Sequence, residues 1–391
     1  MKHIRPTLVV FQGGVLSLAS RLERLVVEAQ HAAALDLLLT ATSSRSFAAA
    51  ILVAEDESLA AAARKLPLDV PLTVMPARIE PFNFGENLRE VCRKYGLERV
   101  VYSGGGSTPL ASAATFADLA LTVSGAGECV VSNNLFSADL AAFYPASTLD
   151  RIALPKNDND LAWLLHYRGG LPHATTPRTL ATNFDIDTPT DLVTLWLATQ
   201  SPPLKGLVGP HLAAMLEQVP SVMPALVAAL QGAYRVMTTR RAQVLLAGRV
   251  SSWTWRRLET NLPCQTRIFS EERGMRASGR EERGEVRSLL GLYVDLAGTG
   301  GLMSAFQQTA DAVFLDTRVL FAHRRLSPSR ADRFASDALL PEEVSDPWIR
   351  ELTEAVSTAA LPIVLGGHSL ISGGVWALSE RVRGSASSAA G

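Results

Sequence analysis

Apolar positions fall along this chain in two patterns: short unbroken runs, and longer stretches with helical periodicity. Thr7-Leu8-Val9-Val10-Phe11, Ile51-Leu52-Val53-Ala54, Leu72-Thr73-Val74 and Val100-Val101-Tyr102 are of the first kind. A run of strand length without polar alternation predicts a strand buried on both faces, as in a parallel sheet covered by helices. Residues 16–39 and 87–94 read as helices, the first broken near Asp36, the second stopped by Tyr95-Gly96. Thr188-Pro189-Thr190-Asp191 opens a further helix to about residue 199, with Thr188 as N-cap and Pro189 at its first position.

Residues 200–206 have linker composition. Beyond them an apolar-periodic region, 212–237, is interrupted at Pro220 and Pro224, and strand-like runs then return at 244–247, 266–269, 312–315 and 362–365. The Ser/Ala/Gly tail 384–391 reads as frayed. The whole predicts an α/β protein of two domains, 1–202 and 203–391. The first is a Rossmann-like mixed sheet. The second is a Rossmann-like parallel α/β domain with a helical lead-in.

Composition narrows the class. At 391 residues, 47% hydrophobic and 19% charged, the chain is too apolar to be disordered. A net charge of −1 offers no overall basic field for nucleic acid. Cys92, Cys129 and Cys264 lie far apart and suggest neither a disulfide framework nor a zinc site. No window of ~18 residues is uninterruptedly apolar. The expectation is a cytoplasmic protein without nucleic-acid or membrane partners; a homo-oligomer is compatible with the sequence.

In open parallel sheets, ligands sit beyond the carboxyl ends of the strands. In the first half those ends carry Gln12-Gly13-Gly14, Glu55-Asp56, Gly104-Gly105-Gly106-Ser107 and Asp185-Ile186-Asp187. Glycines let phosphates approach backbone N–H groups. If the segment is extended, Asp185 and Asp187 share one face and suit one metal ion. Asn133, Asn134 and Asp139 add amides and a carboxylate, read as preceding or opening a helix, and Lys156 is a cation suited to phosphate.

These residues carry a resemblance. Phe184-Asp185-Ile186-Asp187-Thr188-Pro189-Thr190-Asp191-Leu192 resembles the D-[IV]-[DN]-T-P-x-D-L segment of small nucleotidyltransferases, such as the molybdenum-cofactor and 2-phospholactate guanylyltransferases. Val10-Phe11-Gln12-Gly13-Gly14, followed by Arg21-Leu22, resembles their LAGGxSxRM phosphate loop. Ser103-Gly104-Gly105-Gly106-Ser107-Thr108-Pro109-Leu110 stands where they have GDxPL. The resemblance covers about residues 1–200. It implies a nucleotidyltransferase-like first domain, Mg²⁺ held by Asp185 and Asp187, and transfer of a nucleotidyl group from an NTP to a phosphorylated small molecule with Lys156 assisting. The chain departs from the pattern twice. Gly105 or Gly106 occupies the place of the metal-binding aspartate, and no lysine lies between Lys2 and Lys65. The alternative is a degenerate nucleotide-binding domain fused to one that handles an anionic metabolite.

The second half supplies that alternative. Its strand ends carry Glu271-Glu272-Arg273 with Arg276, Asp316 with Arg318, and Gly366-Gly367-His368-Ser369; Arg330 and Arg333 follow in a polar loop. Guanidiniums suit phosphorylated or carboxylated ligands. Glu271, Glu272, Asp316 and His368 are candidate acid–base or metal-ligand groups. Residues 279–285 read as a charged loop or lid.

Overall fold

A computed structural model describes residues 4–13, 20–76, 83–125, 127–276 and 278–389. Among them lie eleven strands: β1 (Thr7–Gln12), β2 (Ala49–Ala54), β3 (Leu72–Pro76), β4 (Val100–Gly104), β5 (Cys129–Ser132), β6 (Leu140–Tyr144), β7 (His173–Thr175), β8 (Gln243–Gly248), β9 (Gln265–Ser270), β10 (Ala312–Asp316) and β11 (Ile363–Gly366). The first seven form one sheet in the order β3-β2-β1-β4-β6-β5-β7. Its β3, β2, β1 and β4 run parallel, β6 is antiparallel to both neighbours, and β7 is parallel to β5. The other four make a separate parallel sheet, β11-β10-β8-β9. The chain is therefore α/β, with a mixed first sheet and a parallel second.

The unbroken apolar runs do what their pattern demands. Along β1, Leu8 and Val10 join the core on one face, and Val9 and Phe11 the core on the other. In the second sheet, Val313, Leu315, Ile363 and Leu365 pack with Leu302, Phe306 and Leu352. Each such side chain contributes about 1.5–3 kcal/mol on full burial.

Three local expectations are corrected. Residues 133–139 open no helix; they form the turn of the antiparallel β5–β6 pair. The Asn133 N–H donates to the Leu140 carbonyl at 3.1 Å, and its side-chain oxygen accepts from the Leu140 N–H at 3.3 Å. That side chain replaces the ladder a helix would need. The helix Arg21–Ser43 runs unbroken through Asp36. Asp36 turns its carboxylate outward to the first turn of the helix Pro210–Leu216, accepting from the N–H groups of His211 at 3.2 Å and Leu212 at 2.8 Å. The tail is helical: Val375–Ala389 continues through Gly384, where a Cβ would stand 2.4 Å from Pro203 Cδ.

The chain gathers into two compact units with interleaved segments. Unit one comprises Met1–Ser17, Val27–Asp185 and Leu207–Ala213; unit two comprises Leu18–Val26, Ile186–Gly206 and Ala214–Gly391. Relative to a single cut at 202/203, the helix Pro189–Thr199 thus belongs with the second sheet. Among the described helices, Leu289–Thr309 alone has the length and apolar content of a membrane span. Gly298, at φ +70°, interrupts it, and Leu302, Met303 and Phe306 from its second part are buried in the core of the second unit.

Candidate functional site

Each sheet has a point where successive connections leave in opposite directions, and there a crevice opens beyond the strand ends. In the first sheet it lies between β1 and β4. Gln12 and Gly13 stand at its β1 side; Gly14 lies outside the described residues. The Gly105 N–H donates to the Phe11 carbonyl at 2.8 Å, and Ser107 N–H closes a turn on Gly104 at 3.2 Å. Ser107 forms an antiparallel bridge with Asp185.

The chain's own side chains account for two of the glycines. A Cβ on Gly105 would stand 2.2 Å from Gln12 Oε1 and 3.1 Å from Ala34 Cβ. One on Gly104 would stand 2.7 Å from Ser107 Oγ. Close packing, then, requires the absent side chains at Gly104 and Gly105. Two carboxylates border the crevice. Glu55 comes within 3.5 Å of where a Cβ on Gly13 would lie, and Asp158 accepts from the Tyr102 hydroxyl at 3.1 Å.

The other sequence candidates of the first half are spread apart. Asn133 is buried and donates to the Thr182 carbonyl at 3.1 Å, a structural use. Asn134 caps its own turn through Phe136 N–H. Asp139 precedes β6, and its carbonyl accepts from Gly104 N–H at 3.0 Å. Lys156 is exposed. Arg21 belongs to the second unit, where its guanidinium donates to the Val222 carbonyl at 2.9 Å. The unit boundary falls between Asp185, half-buried, and Asp187, exposed. Among the described residues, no three His, Cys, Asp or Glu side chains converge to hold a metal ion.

In the second sheet the crevice lies between β8 and β10, and here charge converges. Gly248 ends β8 at φ +121°, where a Cβ would stand 2.4 Å from Asp316 Cβ. That close approach seats Arg249 on Asp316 as a buried two-pronged ion pair, Nε to Oδ2 at 2.6 Å and a terminal nitrogen to Oδ1 at 3.0 Å. Arg318 makes a second such pair with Asp337, at 2.8 and 2.5 Å. Burial opposes the Asp316 carboxylate, but Arg249, His368 and Arg318 hold its pKa below the ordinary range. For Asp337 burial wins, and its pKa is raised against the pull of Arg318.

After β11, Gly366 and Gly367 are buried and His368 is exposed. Crowding by protein, and then the charge of Arg249, push the imidazole pKa down to about 4, against Asp316. The imidazole is therefore neutral at pH 7. Ser369 Oγ donates to Asp191 Oδ2 at 3.0 Å. The same oxygen accepts from the Asp187 N–H and from the N–H and hydroxyl of Thr188, while Oδ1 is buried without a partner. Burial, followed by repulsion from Asp187, raises the Asp191 pKa to about 7.

Glu271 and Glu272 have other employment. Glu271 accepts from the Ser288 hydroxyl at 2.5 Å and Leu289 N–H at 2.8 Å, holding the start of the helix Leu289–Thr309. Glu272 is paired with Arg280. These contacts account for both carboxylates structurally. Residues 279–285 form turns tied by Arg276–Glu281 and Arg283–Glu285 pairs. Arg273 and Arg330 are exposed. Arg333 lines a pocket of about 570 Å³ with Arg276 and Arg318. The sequence singled out neither Arg249 nor Asp337 as a site residue. The one local signal for Arg249 was its place directly after a glycine at a strand end.

No protein-family model matches the chain, and no curated protein matches it. Solved structures similar to it include a Desulfovibrio desulfuricans chain described as a nucleotide-diphospho-sugar transferase, at 15% identity, spanning 55% of this chain and 97% of that one, with a TM-score of 0.38. A Methanothermobacter nucleotidyl transferase is 17% identical over 46% of this chain and 90% of that one, at a TM-score of 0.33. A Leptospira borgpetersenii cytidylyltransferase is 14% identical over 57% of this chain and 95% of that one, at a TM-score of 0.37.

Proposed function

We propose that the first unit is a nucleotide-binding unit of nucleotidyltransferase type without the carboxylate metal centre of that family, and that the second unit binds and processes an anionic small molecule. The observation that carries this reading is the contrast between the two crevices. At the first, Gly104 and Gly105 are packed by the chain's own side chains. At the second, Arg249–Asp316 and Arg318–Asp337 stand with an exposed, neutral His368. In this reading the arginines bind the anion, and His368 accepts or donates a proton at its exposed edge.

Magnesium-dependent transfer from an NTP to a phosphorylated acceptor is the second reading; the carboxylates of Glu55 and Asp158 beside the first crevice favour it. A thermal-shift panel separates the two. NTPs, phosphorylated metabolites and carboxylated metabolites are each tested with Mg²⁺ and with chelator. A ligand at 100 times its Kd stabilises by about 2.7 kcal/mol. The expected result is stabilisation by an anionic metabolite that survives chelation. Stabilisation by one NTP only with Mg²⁺, and pyrophosphate release abolished by Asp185→Asn, would establish the second reading instead.

A further inference from the structure

The pocket of about 570 Å³ in the second unit has a division of character along its wall. Five arginines line it, Arg276, Arg318 and Arg333 among them, together with Phe321, Leu326 and Pro328; Glu281 and Glu282 stand at it too. Its volume suits a small organic ligand. We propose that it is the binding site of a small organic phosphate, with the phosphate dianion among the guanidiniums of Arg276, Arg318 and Arg333 and the carbon body against Phe321, Leu326 and Pro328. This rests on the reading that the second unit is the anion-binding part.

The charges are committed unequally. Arg318 takes both oxygens of Asp337. Arg276 pairs with Glu281. Arg333 lies one helical turn before Asp337 on the helix Arg330–Asp337, yet no ion pair of Arg333 occurs among the described residues, and its Nε is buried without a partner. Both oxygens of Asp337 already accept from Arg318. Guanidiniums crowded at one pocket repel each other in a partly desolvated setting. Burial, then Arg318 and Arg276, lower the Arg333 pKa accordingly.

An anion between the guanidiniums removes that repulsion. Guanidinium forks match the oxygens of a phosphate. A dianion answers the charge better than a monocarboxylate. The segment that carries Arg333 is rigidly built: Ser329 caps its helix on Asp332 N–H at 3.0 Å, Asp332 accepts from Ser345 N–H at 2.6 Å, and Thr353 donates to Ser336 at 2.8 Å. The helix that carries Arg333 is thus anchored at the pocket before any ligand arrives.

The test is calorimetric titration of the full chain with phenyl phosphate, inorganic phosphate and benzoate, in wild type, Arg333→Gln and Arg276→Gln. Arg276 is exposed and Arg333 has no ion pair to break, so both variants are expected to melt as wild type does. Phenyl phosphate should bind more tightly than either part-probe. Arg333→Gln should weaken it at least about tenfold, the scale of one lost charged hydrogen bond. Binding unchanged in Arg333→Gln and Arg276→Gln would place the anion elsewhere, overturning this pocket while leaving the reading of the second unit intact. Equal binding of benzoate and phenyl phosphate would overturn the dianion. Failure of all three probes, together with no response to any anionic metabolite in the thermal panel, would overturn the pocket and the broader reading together.

Discussion

A carboxylate that accepts four hydrogen bonds is ordinarily a strong acid. Asp191 is the reverse: its full burial, and then the nearby Asp187, outweigh the four bonds that converge on Oδ2. Its pKa rises from the usual 3.8 to about 7. The folded state therefore binds more protons than the unfolded state between those values. Its contribution to stability is present below pH 3.8 and lost as pH rises through about 7. His368 acts in the opposite sense: its folded pKa of about 4 lies under the usual 6.5, so stability is lost as pH falls across that window. Asp191→Asn keeps an acceptor but cannot ionise. Its melting temperature should fall less than that of wild type between pH 5 and 8, read by calorimetry in matched buffers. A parallel decline in both proteins would show that Asp191 does not titrate in that range.

At the scale of elements, the end of β8 shows how backbone and charge depend on each other. Only glycine allows Asp316 to lie against residue 248 at φ +121°. Asp316 in turn caps the helix Thr317–His323 through Arg318 N–H at 3.3 Å and neutralises Arg249. Gly248→Ala forces the Cβ into Asp316 and strains the backbone. We expect a loss of about 2–4 kcal/mol in chemical denaturation, combining overpacking with an unfavourable φ. A loss under about 0.5 kcal/mol, the range of a surface substitution, would mean that the strand end relaxes freely.

The interleaving of the two units has a consequence for the whole molecule. Residues 186–206 precede the linker-like stretch's end, yet they are part of the second unit. Thr190 Oγ1 donates to the Leu365 carbonyl at 2.7 Å, Ser369 to Asp191 at 3.0 Å, and Arg381 to the Leu197 carbonyl. A fragment 203–391 lacks every one of these partners. It should show no cooperative unfolding and poor dispersion in amide NMR spectra, whereas a fragment beginning at residue 186, which lacks only Leu18–Val26 of the second unit, should be better dispersed. Cooperative unfolding of 203–391 alone would show that the segment is dispensable.

Several features of this protein were determined by the sequence alone. Unbroken apolar runs specify strands buried on two faces, because no alternation leaves a wet side. Thr188, Pro189 and Asp191 specify a helix start, and the structure places the helix at Pro189–Thr199 with its capping box formed. The glycine-rich runs that follow β1 and β4 are legible as strand ends, while the reversal of strand order between them is a property of the folded sheet. Local pattern could not assign the helix Pro189–Thr199 to the second sheet, since its partners lie more than 170 residues away. Nor could it separate glycines that admit a ligand from those that admit a neighbouring side chain, as Gln12 does at Gly105. The same limit explains Arg249, Asp337 and Arg333. A guanidinium acquires its role from the carboxylates that reach it and from those already taken, and that allocation exists only once the chain has folded.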